Sequence, residues 1–293
     1  MKHYLSLLPC LFASSAFADV AVVLDERPGV PMSVESQLVA DIAKRTADAT
    51  VILPSAETLD DFSVIWIHHG KPLAADSPLR SPTFLAAVKK HGEAGHGILL
   101  TGNATILLEA LNIDTPQTRP MTFANDRAQF GLVPTNPTHP LFAGADLDRN
   151  VLWLSVAAYY AFESFTAPQG TILARNPGGP PAPLLEYPLG KGKVLAVPYN
   201  VSPLYNLAPE GHRHNFEHLT TNILKYLAGT LSTAPVPVPD PLEESAVALQ
   251  LAVEHFLATF GEQYPEGETF LVSCVRTAVF GTDYRLWSDI NYL

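Results

Sequence analysis

Apolar runs that alternate with helical segments are the feature that most restricts the fold of this chain. Residues 19–25 form an almost continuous apolar run that ends in the carboxylate of Asp25. Such a run is typical of a parallel strand buried on both faces. Ser33 can cap the next segment, in which apolar residues recur from Val34 to Ala43 at helical spacing.

The same alternation continues along the chain. Strands are predicted over residues 50–53, 62–68, 97–101, 151–155, 171–175, 183–187 and 193–199, and helices from Ser81, over 104–111 and over 215–227. Residues 190–193 carry a hairpin turn signal. We therefore expect an α/β fold with a doubly wound, mostly parallel sheet and a short C-terminal helical extension. Such sheets bind ligands at the carboxyl ends of their strands.

Residues 1–18 are a predicted signal peptide. They carry Lys2 and His3 at the start, continue with an apolar run too short to span a bilayer, and end in Ala16-Phe17-Ala18, a small-x-small cleavage pattern. We expect an exported protein, periplasmic or extracellular, that starts at Asp19 and is not inserted in a membrane. Cleavage leaves one cysteine, Cys274, which excludes an intrachain disulfide.

The chain is predicted to contain one main domain over residues 19–229. Residues 230–241 follow as a stiff linker with four prolines. Residues 242–293 are a helical tail, in which apolar residues recur at helical spacing from Ala246 to Phe260. The tail either packs on the main domain or begins an incomplete module.

The charge of the chain excludes some partners. Its formal net charge is -11, so it repels nucleic acid and anionic lipid. The charge does not exclude a protein partner or a homo-oligomer, and a structural or oligomerising role is a further alternative.

Three segments carry a family resemblance, namely residues 65–70, 97–111 and 184–196. They resemble the class I glutamine amidotransferase-like superfamily and, within it, the ThuA-like (trehalose-utilisation-like) branch. The resemblance covers residues 19–229 and implies a flavodoxin-like, amidotransferase-like sheet in a secreted, carbohydrate-related bacterial protein. His139-Pro140-Leu141-Phe142 is similar to a loop signature of that branch, and we expect His139 to hold a turn by hydrogen bonds.

The resemblance also implies a missing nucleophile. Catalytic members carry a Gly-x-Cys turn after the central strand, where this chain has Gly102-Asn103-Ala104. A methyl group cannot attack a substrate. The position of the family's catalytic histidine falls on Tyr199-Asn200, and the oxyanion turn reads His68-His69-Gly70-Lys71. We therefore expect a non-catalytic binding or accessory domain without glutaminase activity.

The expected ligand is a small polar molecule or glycan at the carboxyl edge of the sheet. Backbone N–H groups of the helix from Ala104 favour an anion or a hydroxyl-rich molecule. The predicted ligand-binding residues are His68, His69, Gly70, Gly102, Asn103, Tyr199 and Asn200. Asp25, Glu26 and Arg27 follow the first strand, where the two carboxylates either act as general acids or bases or belong with Arg27 to a solvated strand end. Aromatic residues of predicted loops either stack on sugar rings or pack in the loops, namely Tyr159, Tyr160, Phe162, Tyr199 and Tyr205.

The alternative function is a metal-assisted hydrolase that acts on a carbohydrate-related substrate. His212, His214 and His218 have a spacing at which the last two share a helix face. A catalytic zinc needs three ligands and an open position, so His68 or His69 would have to contribute. The other interpretation is a polar, partly exposed start of a helix. No cofactor is expected.

Overall fold

The computed structural model describes residues 19–25, 32–55, 59–115, 118–122, 130–155, 161–165, 168–177, 179–201, 205–206 and 208–231, with the backbone alone for 118–122, 161–165 and 179–182. The chain divides into two units, Met1–Thr233 and Ala234–Leu293. All described residues belong to the first. The predicted signal peptide, the helical tail and Cys274 lie outside the described residues.

The described strands are β1 (Asp19–Leu24), β2 (Asp48–Ile52), β3 (Val64–His69), β4 (Gly97–Gly102), β5 (Thr118–Thr122), β6 (Phe130–Pro134), β7 (Leu152–Ser155), β8 (Ala161–Phe165), β9 (Thr171–Asn176), β10 (Gly179–Leu189) and β11 (Gly192–Val197). Nine of them form one sheet in the order β2-β1-β3-β4-β11-β10-β9-β6-β7, and β5 pairs with β8. Strands β2, β1, β3, β4 and β11 are mutually parallel. The predicted α/β class with a mostly parallel sheet is confirmed.

An antiparallel extension continues the sheet beyond β11. Strand β10 runs antiparallel to β11 and β9, and β6 runs antiparallel to β9 and β7. Gly190 has a φ of +60°, a left-handed conformation suited to glycine, and it turns β10 into β11. The predicted hairpin is therefore confirmed.

The described α-helices are α1 (Val34–Thr46), α2 (Pro82–Ala94), α3 (Leu107–Ala110) and α4 (Glu210–Leu227). The side chains of Ser33 and Ser81 cap α1 and α2, as the sequence predicts for both starts. The predicted helix over 104–111 is instead a 3-10 turn, Asn103–Ile106, followed by α3. Helix α4 begins five residues before the predicted start at 215, because its first turn is largely exposed and shows no apolar period.

The sheet buries a separate apolar layer on each face. One layer joins Trp66 and Leu99 to Ile42 of α1 and Leu224 of α4. The other layer joins strand residues such as Ile67 to Phe84 and Val88 of α2. Side chains alternate between the two faces along each strand. His68 therefore lies on the α1 side of β3, and His69 lies on the α2 side.

Among the described helices, none has the length and apolar content required to cross a bilayer.

Candidate functional site

Strand register brings several polar segments to one edge of the sheet. Leu24 of β1 is paired with His68, and His69 is paired with Gly102 of β4. Asp25 and Asn103 directly follow these paired residues. The carboxyl ends of β1, β3 and β4 therefore place Asp25, His69 and Asn103 side by side, at the edge where such sheets bind ligands.

The turn after β4 needs glycine at its first position. Gly102 has φ +61° and ψ -138°, and an added Cβ would lie 2.6 Å from the carbonyl oxygen of His69. Ala104 and Thr105 are fully buried, and the Thr105 hydroxyl donates to the Gly102 carbonyl at 2.8 Å. Thr105 therefore stabilises the turn. Asn103 is half-buried, and its amide makes no side-chain hydrogen bond with a described residue.

A buried network surrounds His68, which is 1% exposed. The Trp66 indole donates to Thr101 Oγ1, and the same hydroxyl lies 2.8 Å from His68 Nδ1. The Oγ1 hydroxyl can accept from the indole and pair with Nδ1 at the same time, so it joins the two rings. The other ring nitrogen, Nε2, lies 3.2 Å from Glu35 Oε1 without hydrogen-bond alignment.

Glu35 of α1 also holds the segment after β11. Its Oε1 accepts from the backbone N–H of Val201 at 2.7 Å, and the side chain of Asn200 donates to the Gly70 carbonyl at 3.2 Å. An added Cβ on Gly70 would lie 2.6 Å from Glu35 Cγ, so glycine permits this close approach. His68, Gly70, Gly102 and Asn200 are thus brought together around Glu35.

His69 belongs to a second, more open group on the other side of β3. Its Nδ1 contacts the carbonyl oxygen of Lys71, and its Nε2 lies 3.9 Å from Asp25 Oδ2. The Ser77 hydroxyl donates to the same carboxylate oxygen at 2.5 Å. The side chains of His69 and Asp25 are 19% and 16% exposed, whereas that of His68 is 0% exposed. The open group can therefore reach a ligand more readily than His68.

The two described tyrosines near the edge are held by protein contacts. Tyr199 is 4% exposed, packs its ring against Phe130 and Phe216, and has a raised pKa because it is buried. Tyr205 donates to Glu217 at 2.6 Å and accepts from Arg45 at 3.2 Å. Both rings lie on the α4 side of the sheet. Tyr159, Tyr160, Glu26, Arg27 and the side chain of Phe162 lie outside the described residues.

The histidines of α4 make separate contacts. His218 Nε2 lies 2.8 Å from the Ala143 carbonyl oxygen, and the His214 ring stacks on the His218 ring with centroids 6.3 Å apart. His212 is half-buried, and burial lowers its pKa. Across the described part of the chain, no three His, Cys, Asp or Glu residues are grouped so that they can hold a metal ion.

His139 holds a turn, as the sequence predicts. Its Nδ1 accepts from the Leu141 N–H at 3.3 Å and caps the 3-10 turn Pro140–Phe142. Burial lowers its pKa. This residue therefore has a structural role away from the carboxyl edge.

Glu35, Thr101 and Ser77 are site residues that the sequence analysis did not single out. Thr101 is a polar residue at the end of a predicted apolar strand, which is a usable signal for a buried contact. Glu35 and Ser77 carry no comparable signal, because their partners are distant in the sequence: Val201 is 166 residues from Glu35 and Asp25 is 52 from Ser77.

Comparison with known proteins identifies the fold. No family model and no curated protein sequence matches the chain. The structure of PurLQS from Thermotoga maritima matches with a TM-score of 0.51 and 14% identity, over 72% of this chain and 99% of that one. A ThuA-like protein from Parabacteroides merdae matches with a TM-score of 0.51 and 10% identity, over 76% of this chain and 94% of that one. At such identities the likeness shows the fold alone, and the chain has an amidotransferase-like fold.

Proposed function

We propose that this chain is a secreted, non-catalytic, ThuA-like domain that binds a small hydroxyl-rich ligand in a carbohydrate-related system. The observation that carries this proposal is the turn after β4. Ala104 is fully buried in that turn, and by the resemblance it takes the position of the cysteine in the catalytic proteins. A side chain without a thiolate or hydroxyl cannot form an acyl-enzyme.

The polar groups at the carboxyl edge support a binding role. Asp25, His69, Asn103 and Asn200 are all partly exposed there and offer both donors and acceptors. The sequence alone allows either an anion or a hydroxyl-rich molecule as the ligand. In the structure, the carboxylates of Asp25 and Glu35 disfavour an anionic ligand because like charges repel. A neutral molecule with several hydroxyl groups fits this mixture best.

The absence of catalysis is tested with glutamine. Purified protein should release ammonia from glutamine no faster than a Thr105→Val variant, because neither protein has a nucleophile at residue 104. Release that clearly exceeds that of the variant would contradict the proposal.

The binding role is tested with an array of neutral saccharides. Asn103→Leu should weaken binding of any sugar that the array identifies by about 1–3 kcal/mol, because it removes a donor and an acceptor. Asp76→Ala changes an exposed residue of the neighbouring loop and is the matched control. If Asn103→Leu and His69→Ala both bind like the parent, the ligand lies elsewhere.

Two measurements test the remaining parts of the proposal. N-terminal sequencing of exported protein should begin at Asp19, and a sequence that begins at Met1 would remove the argument for export. Elemental analysis tests the hydrolase alternative. Stoichiometric zinc that is lost in a His214→Ala variant would favour a metal-assisted hydrolase.

A further inference from the structure

Asp25 and His69 present two hydrogen-bonding atoms to the same point at the carboxyl edge. Asp25 Oδ2 and His69 Nε2 lie 3.9 Å apart, at the ends of the adjacent strands β1 and β3. This distance is too long for a direct hydrogen bond, for which about 2.8–3.0 Å is typical. Each atom can therefore bind a separate group of one ligand.

Both side chains are held in place by other protein groups. Ser77 is buried, with 7% of its surface exposed, and its hydroxyl donates to Asp25 Oδ2. His69 Nδ1 contacts the Lys71 carbonyl oxygen and lies 3.4 Å from the Lys71 backbone nitrogen, and these two contacts hold the ring with Nε2 on the side of Asp25. A pair whose orientation is fixed before binding loses little entropy when a ligand arrives.

We propose that Asp25 and His69 bind two adjacent hydroxyl groups of one ligand, that is, a vicinal diol such as a sugar ring carries. This inference rests on the proposed function and names the contact that recognises the ligand. A hydroxyl group can both donate and accept, so one hydroxyl donates to the carboxylate while its neighbour pairs with Nε2, whether or not that atom carries a hydrogen. Other ligand groups fit the pair less well. An ammonium group cannot accept a hydrogen bond from Nε2, and a carboxylate group is repelled by the charge of Asp25.

The experiment uses the mature full-length chain and three neutral hexoses, D-mannose, D-galactose and D-glucose, which present vicinal hydroxyls in different arrangements. Binding is followed by NMR shifts of backbone amides at residues 69–71 and 102–103. Asp25→Leu and His69→Phe each remove the hydrogen-bonding atoms of one member of the pair and keep a side chain of similar size. Circular dichroism checks that each variant folds, and Asp25→Leu alone decides the test if the His69→Phe variant does not fold.

At least one hexose should bind the parent, and each variant should weaken that binding about tenfold, the effect of one lost hydrogen bond of about 1.4 kcal/mol. The Asp76→Ala control should bind like the parent. If the parent and both variants bind equally while Asn103→Leu does not bind, the diol contact is wrong and the proposed function stands. If no hexose shifts any amide of the parent, the proposed function fails and the diol contact fails with it.

Discussion

His68 and His91 are equally buried but have different surroundings. His68 is 1% exposed at the carboxyl edge of the sheet, where Thr101 and Glu35 approach its two ring nitrogens. His91 is 0% exposed near the end of α2, where neither ring nitrogen makes a well-aligned hydrogen bond with a described residue. Its ring stacks on His96 at 4.6 Å.

The difference separates two uses of a buried imidazole. His68 links β3, β4 and α1 by polar contacts, so its removal breaks a network. His91 acts as an apolar filler, and burial lowers its pKa to about 4, with a smaller contribution from the charge of His96. The charge of Asp60 opposes part of that shift, and so do backbone groups of Leu59 and Gly97. The cost of protonating the buried His91 ring therefore becomes visible only in acid.

The largest effect is expected when the His68 network is broken. Thr101→Val keeps the shape of the side chain but leaves the Trp66 indole N–H and His68 Nδ1 without their partner. Each buried, unsatisfied group costs about 1–3 kcal/mol, so the free energy of unfolding in urea should fall by about 2–6 kcal/mol. Thr101→Ser keeps the hydroxyl and should lose about 1 kcal/mol with the methyl group. Equal losses in both variants would show that the hydroxyl is dispensable.

The next effect is a pH dependence that His91 imposes. Between its ordinary pKa of 6.5 and its folded pKa of about 4, the unfolded chain binds a proton at His91 that the folded chain does not. The stabilisation is complete above pH 6.5 and is lost as the pH falls through this window. The His91 contribution to the loss between pH 7 and pH 4 is at most about 3 kcal/mol.

A His91→Leu variant isolates this contribution. Its free energy of unfolding should fall less steeply with acid than that of the parent, because other groups still titrate but the buried imidazole is gone. His214→Leu replaces an exposed histidine of α4 by the same residue and is the matched control for the substitution itself. Identical slopes for the parent and His91→Leu would exclude a shifted His91.

Particular residues show how far the sequence predicts this structure. The starts of α1 and α2 follow from Ser33 and Ser81, because capping depends on neighbours within three residues. The helix predicted over 104–111 is α-helical only over Leu107–Ala110, because the chain leaves the tight turn at Gly102 as a 3-10 turn. The sequence also groups His68 with His69, while the strand period of two places them on opposite faces. Which face meets Glu35 depends on packing between distant segments.

The smallest effect should come from His69, the neighbour of His68. His69→Gln removes a ring that is 19% exposed, whose protein contacts are with Lys71, two residues away, and with Asp25 at 3.9 Å. Such a local, partly solvated contact contributes little, so the free energy of unfolding should change by less than about 1 kcal/mol. His68→Gln is the matched comparison and should cost about 1–3 kcal/mol more, because it disturbs the contacts of Thr101 and Glu35 in the interior. The two variants carry the same substitution at consecutive positions. A difference between their free energies of unfolding therefore reports how the surroundings on the two faces of β3 differ. Equal costs in urea unfolding would mean that His69 is as much a structural residue as His68, which would also weaken its assignment to ligand binding.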